Sequence, residues 1–125
     1  MKLLLDANAL IWLLADNPTL KQETRERIAA QETSLFLSIA SIWEIEIKRS
    51  KGKLRMPADW IESARDLGCT ELPILTEIAV NSARLPWHHA DPFDRLVVAQ
   101  ALALDLTLVT RDSQLAAYGV RVLRA

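Results

Sequence analysis

Three short apolar runs, Lys2 to Leu5, Ser34 to Ser38 and Leu106 to Thr110, constrain the fold most strongly. Each is four or five residues long, rich in Leu, and lacks the polar alternation of a strand with one wet face. Runs of that kind are strands covered on both sides, the situation of a parallel sheet between two layers of helices. The intervening segments read as helices. The residues after Asp6-Ala7-Asn8 predict an apolar helix over 9–15, and Asn17-Pro18 has the cap-then-proline form of a helix start, predicting an outer helix from Pro18 to about Gln31. Ile39, Ile42, Trp43 and Ile47 form a helical stripe after the second strand. Further helices are predicted over about 58–67, closed by Gly68, and over 76–85. Asp91-Pro92 opens another, with Phe93, Leu96, Val97, Ala101 and Leu104 as its core face. Two weaker strands are predicted at 70–74, confined by Pro73 to an edge or a strand end, and at 119–123. Strands alternating with helices predict a three-layer α/β/α sandwich with a mainly parallel central sheet. Right-handed crossovers then bring the C-terminal ends of the strands to one edge, where such sheets bind ligands.

Length and charge narrow the function classes. At 125 residues the chain has room for one domain, spanning 1–125. No apolar run approaches the roughly 20 residues needed to cross a bilayer, so no membrane association is expected. Leu3-Leu4-Leu5 is too short for a signal peptide, and Cys69 is the lone cysteine, which points to a reducing cytoplasm. The net charge of −1 argues against a protein that coats nucleic acid by broad electrostatics. It argues less against a nuclease, because a metal ion can place positive charge where acids cluster.

Four acids stand where a predicted strand ends or a helix begins: Asp6, Glu44, Asp94 and Asp112. Each has an ordinary explanation. Asp6 and Asp112 can cap the turns that follow them, Ser41 to Glu44 has capping-box spacing, and Asp94 favours the positive end of a helix that Asp91 caps. Together they mean more. Asp6 and Asp112 each follow a buried strand, and a parallel sheet brings those ends together. Clustered carboxylates repel, and burial makes their ionisation costly. A divalent cation removes that cost, and an oxygen donor set suits Mg²⁺ or Mn²⁺.

These residues also carry a resemblance. Leu3 to Asn8, Ser41 to Ile45, Asp91 to Ala101 and Leu108 to Asp112 resemble, in order, the motifs of the PIN-domain family, and within it the VapC-type toxins of toxin–antitoxin pairs. The similarity runs from residue 3 to 112. It implies that Asp6, Glu44 and Asp94 are metal-binding catalytic acids and Asp112 the more variable fourth. It implies that Asn8, Ser41 and Thr110 are their small polar helpers. The implied activity is metal-dependent endoribonuclease cleavage, leaving 5′-phosphate and 3′-hydroxyl ends. The implied partners are RNA, a VapB-like antitoxin that can insert an Arg among the acids, and a second copy of the chain in a homodimer. The alternative is a non-catalytic PIN-like module that keeps the acidic pocket only to bind the antitoxin.

The remaining candidates are readings of the residues alone. Lys48 to Arg55 holds five basic residues in eight, including Lys51, Lys53 and Arg55. They are candidates for RNA backbone contact or simply a solvated helix end, with Glu44–Lys48 an i,i+4 pair. His88-His89 reads as exposed loop with no identifiable catalytic partner. Trp12, Trp43, Trp60 and Trp87 are candidates to stack bases, but Trp12 and Trp43, on apolar helical faces, are expected in the core, whereas Trp60 and Trp87 have no evident place. Ile11 to Ala15 is apolar all round and is expected to be buried in the domain or to form part of an antitoxin groove together with residues 18–31.

Overall fold

The computed structural model describes residues 1–125. Five strands, β1 (Lys2–Leu5), β2 (Ser34–Ser38), β3 (Cys69–Leu72), β4 (Thr107–Thr110) and β5 (Val122–Arg124), form one sheet in the order β3-β2-β1-β4-β5. Every pairing is parallel. The helices are α1 (Ala7–Leu14), α2 (Gln22–Ala29), α3 (Ile39–Ser50), α4 (Trp60–Asp66), α5 (Thr76–Arg84) and α6 (Pro92–Leu104), with a 3₁₀ turn over Ser113–Tyr118. No helix is long and apolar enough to cross a membrane.

Strand alternation explains the layering. Leu3 and Leu5 of β1 face one core with Leu35, Leu37 and Val109, and that core takes in Ala9 and Leu10 of α1, Ile28 of α2 and Trp60 and Ala64 of α4. Leu4 faces the other, with Leu108, Val97, Val98 and Ala101. The expected α/β/α sandwich therefore forms, and its sheet is wholly parallel. Pro73 immediately follows β3, which lies at the sheet edge where the missing N–H is harmless.

Several local expectations are corrected. Asn17-Pro18 does not start a helix: the Asn17 carboxamide accepts from the Thr19 amide at 2.9 Å and its carbonyl accepts from the Leu20 amide at 3.1 Å, so the chain turns. The turn seats Leu20 in the core, and α2 begins only at Gln22. Ser41 to Glu44 is not a capping box. The α3 helix starts directly from β2, with Ser38 as cap accepting from the Ala40 amide at 3.0 Å, so Ser41 and Glu44 lie well inside it. That phase buries Ala40, Ser41 and Ile45 and turns Ile39 and Trp43 outward. Leu104 is likewise exposed, at the end of α6 where Asp105 adopts a left-handed backbone. Trp60, unplaced from sequence, is buried, and its indole N–H donates to Glu46 at 2.7 Å. The apolar residues Ile11, Trp12, Leu13 and Leu14 pack against the core while keeping part of their surface in solvent.

Candidate metal centre

The register aligns Leu5 with Leu37 on one side and Val109 on the other, so Asp6, Ser38 and Thr110 emerge together at the C-terminal edge. The strand order reverses at β1 and β4, the crevice where open parallel sheets hold ligands. Asp6 sits there as the N-cap of α1, accepting from the Ala9 amide at 2.8 Å while its own amide donates to the Val109 carbonyl at 3.1 Å. Capping and site membership are thus one geometry. The Thr110 side chain favours the ionised Asp6 carboxyl, and its hydroxyl oxygen accepts from the Asp112 amide at 3.1 Å. One buried side chain therefore links two of the four acids.

Burial pushes the Asp6 carboxyl above its ordinary range, against the Thr110 and Ala9 hydrogen bonds, and the charges of Glu44 and Asp112 add to the rise. Asp94 is pushed up to about 7, chiefly by burial, then by Asp91 and Glu44, opposed by His89, with Asp6 contributing last. Glu44 and Asp6 bear on the Asp94 carboxyl, but the side chains within ligand distance of one another are His89, Asp94 and Asp112, not Asp6 or Glu44. Asp91 takes the capping role expected of it, accepting from the Asp94 amide at 3.0 Å. Glu44 is held by Lys48 at 2.8 Å, the i,i+4 pair that the spacing implies. Ser41 is buried one turn before Glu44, and Asn8 is exposed in the first turn of α1.

His89 corrects the reading of its loop. Its Nε2 lies 2.8 Å from Asp112 Oδ2 and 3.6 Å from Asp94 Oδ2, and ligand atoms of these three residues lie within 4.8 Å of one another. Its Nδ1 accepts from the Asp91 amide at 3.1 Å, so the neutral ring carries its proton on Nε2 and donates to Asp112. His88 instead meets Tyr118 edge-on at 5.0 Å. Sequence spacing could not pair His89 with Asp112, 23 residues away. The legible signal was its position five residues before Asp94.

The His89 loop is pinned by Arg95, a buried guanidinium with no carboxylate partner. It donates to the carbonyls of Ser82 at 2.7 Å, Leu85 at 2.8 Å, Pro86 at 3.0 Å and His89 at 3.1 Å, and to the Tyr118 hydroxyl at 3.2 Å. The exposed Trp87 ring stacks over it at 3.6 Å. Lys51, Lys53 and Arg55 are exposed on the segment after α3.

The donor set fits a hard divalent cation such as Mg²⁺ or Mn²⁺. Carboxylate oxygens dominate it, two of the acids are driven toward protonation by crowding and burial, and the nearby imidazole presents an N–H rather than a free lone pair.

Comparison with known proteins bears on the family and the fold. A family model described as PIN domain matches residues 3–120. No curated protein matches the sequence. Among solved structures, VapBC2 from Rickettsia felis, bound to a DNA fragment from its promoter, superposes with a TM-score of 0.74 at 16% identity, over 99% of this chain and 98% of that one. DNA-bound VapBC from Salmonella typhimurium gives 0.71 at 18%, again over 99% and 98%. VapBC-1 from nontypeable Haemophilus influenzae gives 0.66 at 18%, with the same coverage. At these identities the likeness is one of fold.

Proposed function

This chain belongs to the PIN-domain family, and from that premise we propose that it is a divalent-metal-dependent endoribonuclease acting as the toxin of a toxin–antitoxin pair. The observation that carries the proposal is the cluster of His89, Asp94 and Asp112, with ligand atoms within 4.8 Å of one another, near the strand end that carries Asp6 at the switch point of a parallel sheet. In this reading Asp6 and Asp94 are the main metal ligands, and Glu44 and Asp112 complete the site directly or through water. A bound Mg²⁺ or Mn²⁺ supplies charge that polarises the phosphodiester and lowers the pKa of a water nucleophile.

The protein's own groups do the positioning. Thr110 holds the Asp6 and Asp112 segments in register, and the Ala9 amide fixes one Asp6 oxygen. Asp91 sets the first turn of α6 and with it the Asp94 backbone. His89 offers its Nε2 proton beside both Asp112 and Asp94, where it can steer a carboxylate or donate to a phosphoryl oxygen. Asn8 and Ser41 stand as polar supports at the rim and floor.

Purified chain with single-stranded RNA is expected to cut only when Mg²⁺ or Mn²⁺ is added and to stop with EDTA, leaving 5′-phosphate ends that a 5′-phosphate-dependent exonuclease accepts. Metal-independent cutting would reject the mechanism. No cutting under any metal would leave the non-catalytic, antitoxin-binding module as the better account.

RNA must approach an acidic pocket, and we place Lys51, Lys53 and Arg55 on its path. Replacing all three with Gln is expected to reduce the slope of log K against log salt by about 2, at roughly 0.7 per lost phosphate contact. An unchanged slope would return these residues to the solvated helix end. The antitoxin is proposed to cover the half-exposed apolar side of Ile11 to Leu14 and to reach the acids with an Arg, whose guanidinium matches carboxylates in charge and geometry. A homodimer in the cytoplasm completes the proposal.

A further inference from the structure

Trp43 is not in the core: it is 60% exposed, on a helix whose phase would have allowed a polar residue there at no cost. It is nonetheless held. Its ring meets Phe93 edge-on, centroids 5.3 Å apart and planes at 76°. Trp43 immediately precedes Glu44 and Phe93 immediately precedes Asp94, and the two helices that carry them pack on each other. The Trp43–Phe93 contact therefore joins α3 to the start of α6 at the residues next to two of the candidate acids. Ile39, one turn earlier on α3, is also outward-facing and extends the apolar ledge.

Resting on the nuclease reading, we propose that Trp43 is a stacking platform for an unpaired nucleobase next to the scissile phosphodiester. A phosphate drawn to the acid cluster leaves its flanking base within reach of the indole face. Stacking needs a π-face and no particular base edge, so it tolerates sequence. Bases within a duplex are already stacked on one another and cannot use the ledge. Phe93 fixes the indole in advance, so little side-chain entropy is lost on binding. The other exposed tryptophan, Trp87, spends one face on Arg95.

The test compares Trp43→Leu, Trp43→Tyr and wild type on a random-sequence single-stranded RNA pool, with cut sites mapped and a second substrate made abasic at the flanking nucleotide. Trp43→Leu keeps apolar contact with Phe93 but has no π-face. It is expected to lower kcat/KM by about 5- to 150-fold, the range to which base stacking of about 1–3 kcal/mol converts. Trp43→Tyr should recover most of the loss. The abasic substrate should cost wild type the same factor and cost Trp43→Leu nothing further. Trp43→Leu cutting at the wild-type kcat/KM overturns the platform alone, including the case in which the variant loses only antitoxin binding. A wild-type chain that cuts no RNA overturns the underlying reading and the platform with it.

Discussion

Asp94→Asn is expected to lower RNA cleavage by about 10²–10³-fold while making the metal-free protein more stable by about 0.5–2 kcal/mol. Both effects have one cause. Asp94 is half-buried near Asp91, Glu44 and Asp6, and its carboxyl is pushed up to about 7. Asn keeps the shape, removes a charge the folded state holds at a cost, and removes the charge a cation would need. The sign of the pH dependence follows. Between about 4, the ordinary value, and about 7 the folded chain keeps a proton that the unfolded chain releases. This contribution to stability is fully present below about 4 and is lost as pH rises through about 7. Thermal melts in EDTA at about pH 5 and about pH 8 should therefore show the Asn variant gaining on wild type at the higher pH. Apparent affinity for Mg²⁺ should rise over the same interval and level off above it, since metal and proton compete for one carboxylate. A stability gap between variant and wild type that does not change with pH would show that Asp94 does not carry the buried charge.

Arg95→Ala is expected to cost about 3–5 kcal/mol of stability, the largest loss foreseen for any single side chain here. Its guanidinium is 3% exposed and satisfies carbonyls from Ser82 to His89 that would otherwise be left in or near the interior. Arg95→Lys should recover only part of the loss, because three mobile donors cannot replace five in a fixed fork. For a chain of this size the loss corresponds to roughly 10–20 °C in melting temperature, measurable by denaturant titration or calorimetry. Activity should fall further than the folded fraction alone explains, because the same loop carries His89 to Asp112 and Asp91 to the start of α6. A loss under about 1 kcal/mol would mean that water can take over those carbonyls and that the loop is held by other contacts.

Much of the molecule was legible without coordinates, for local reasons. The apolar runs at Lys2–Leu5 and Ser34–Ser38 read as covered strands, Pro73 confined its strand to an edge or a strand end, and Asp91-Pro92 read as a helix start. Their acids stand next to those elements in sequence, so the convergence of Asp6, Asp94 and Asp112 followed from parallel strand order. Less legible was which way a helix turns when it has more apolar residues than one face can bury. Ile39, Ile42, Trp43 and Ile47 look like a core stripe, yet Ser38 starts the helix one turn before the expected cap and places Trp43 outside.

The chain's own order of residues thus determined the layers, the direction of the strands and the edge at which the carboxylates gather, because strand periodicity and capping act over a few neighbouring residues. Tertiary structure decided that His89 joins the acids, that Arg95 is buried to hold its loop and that Trp43 faces solvent beside Glu44. The first depends on His89 meeting Asp112, 23 positions away, and Arg95 likewise reaches Tyr118 as well as the nearer carbonyls, contacts that exist only once the sheet has brought its strand ends together.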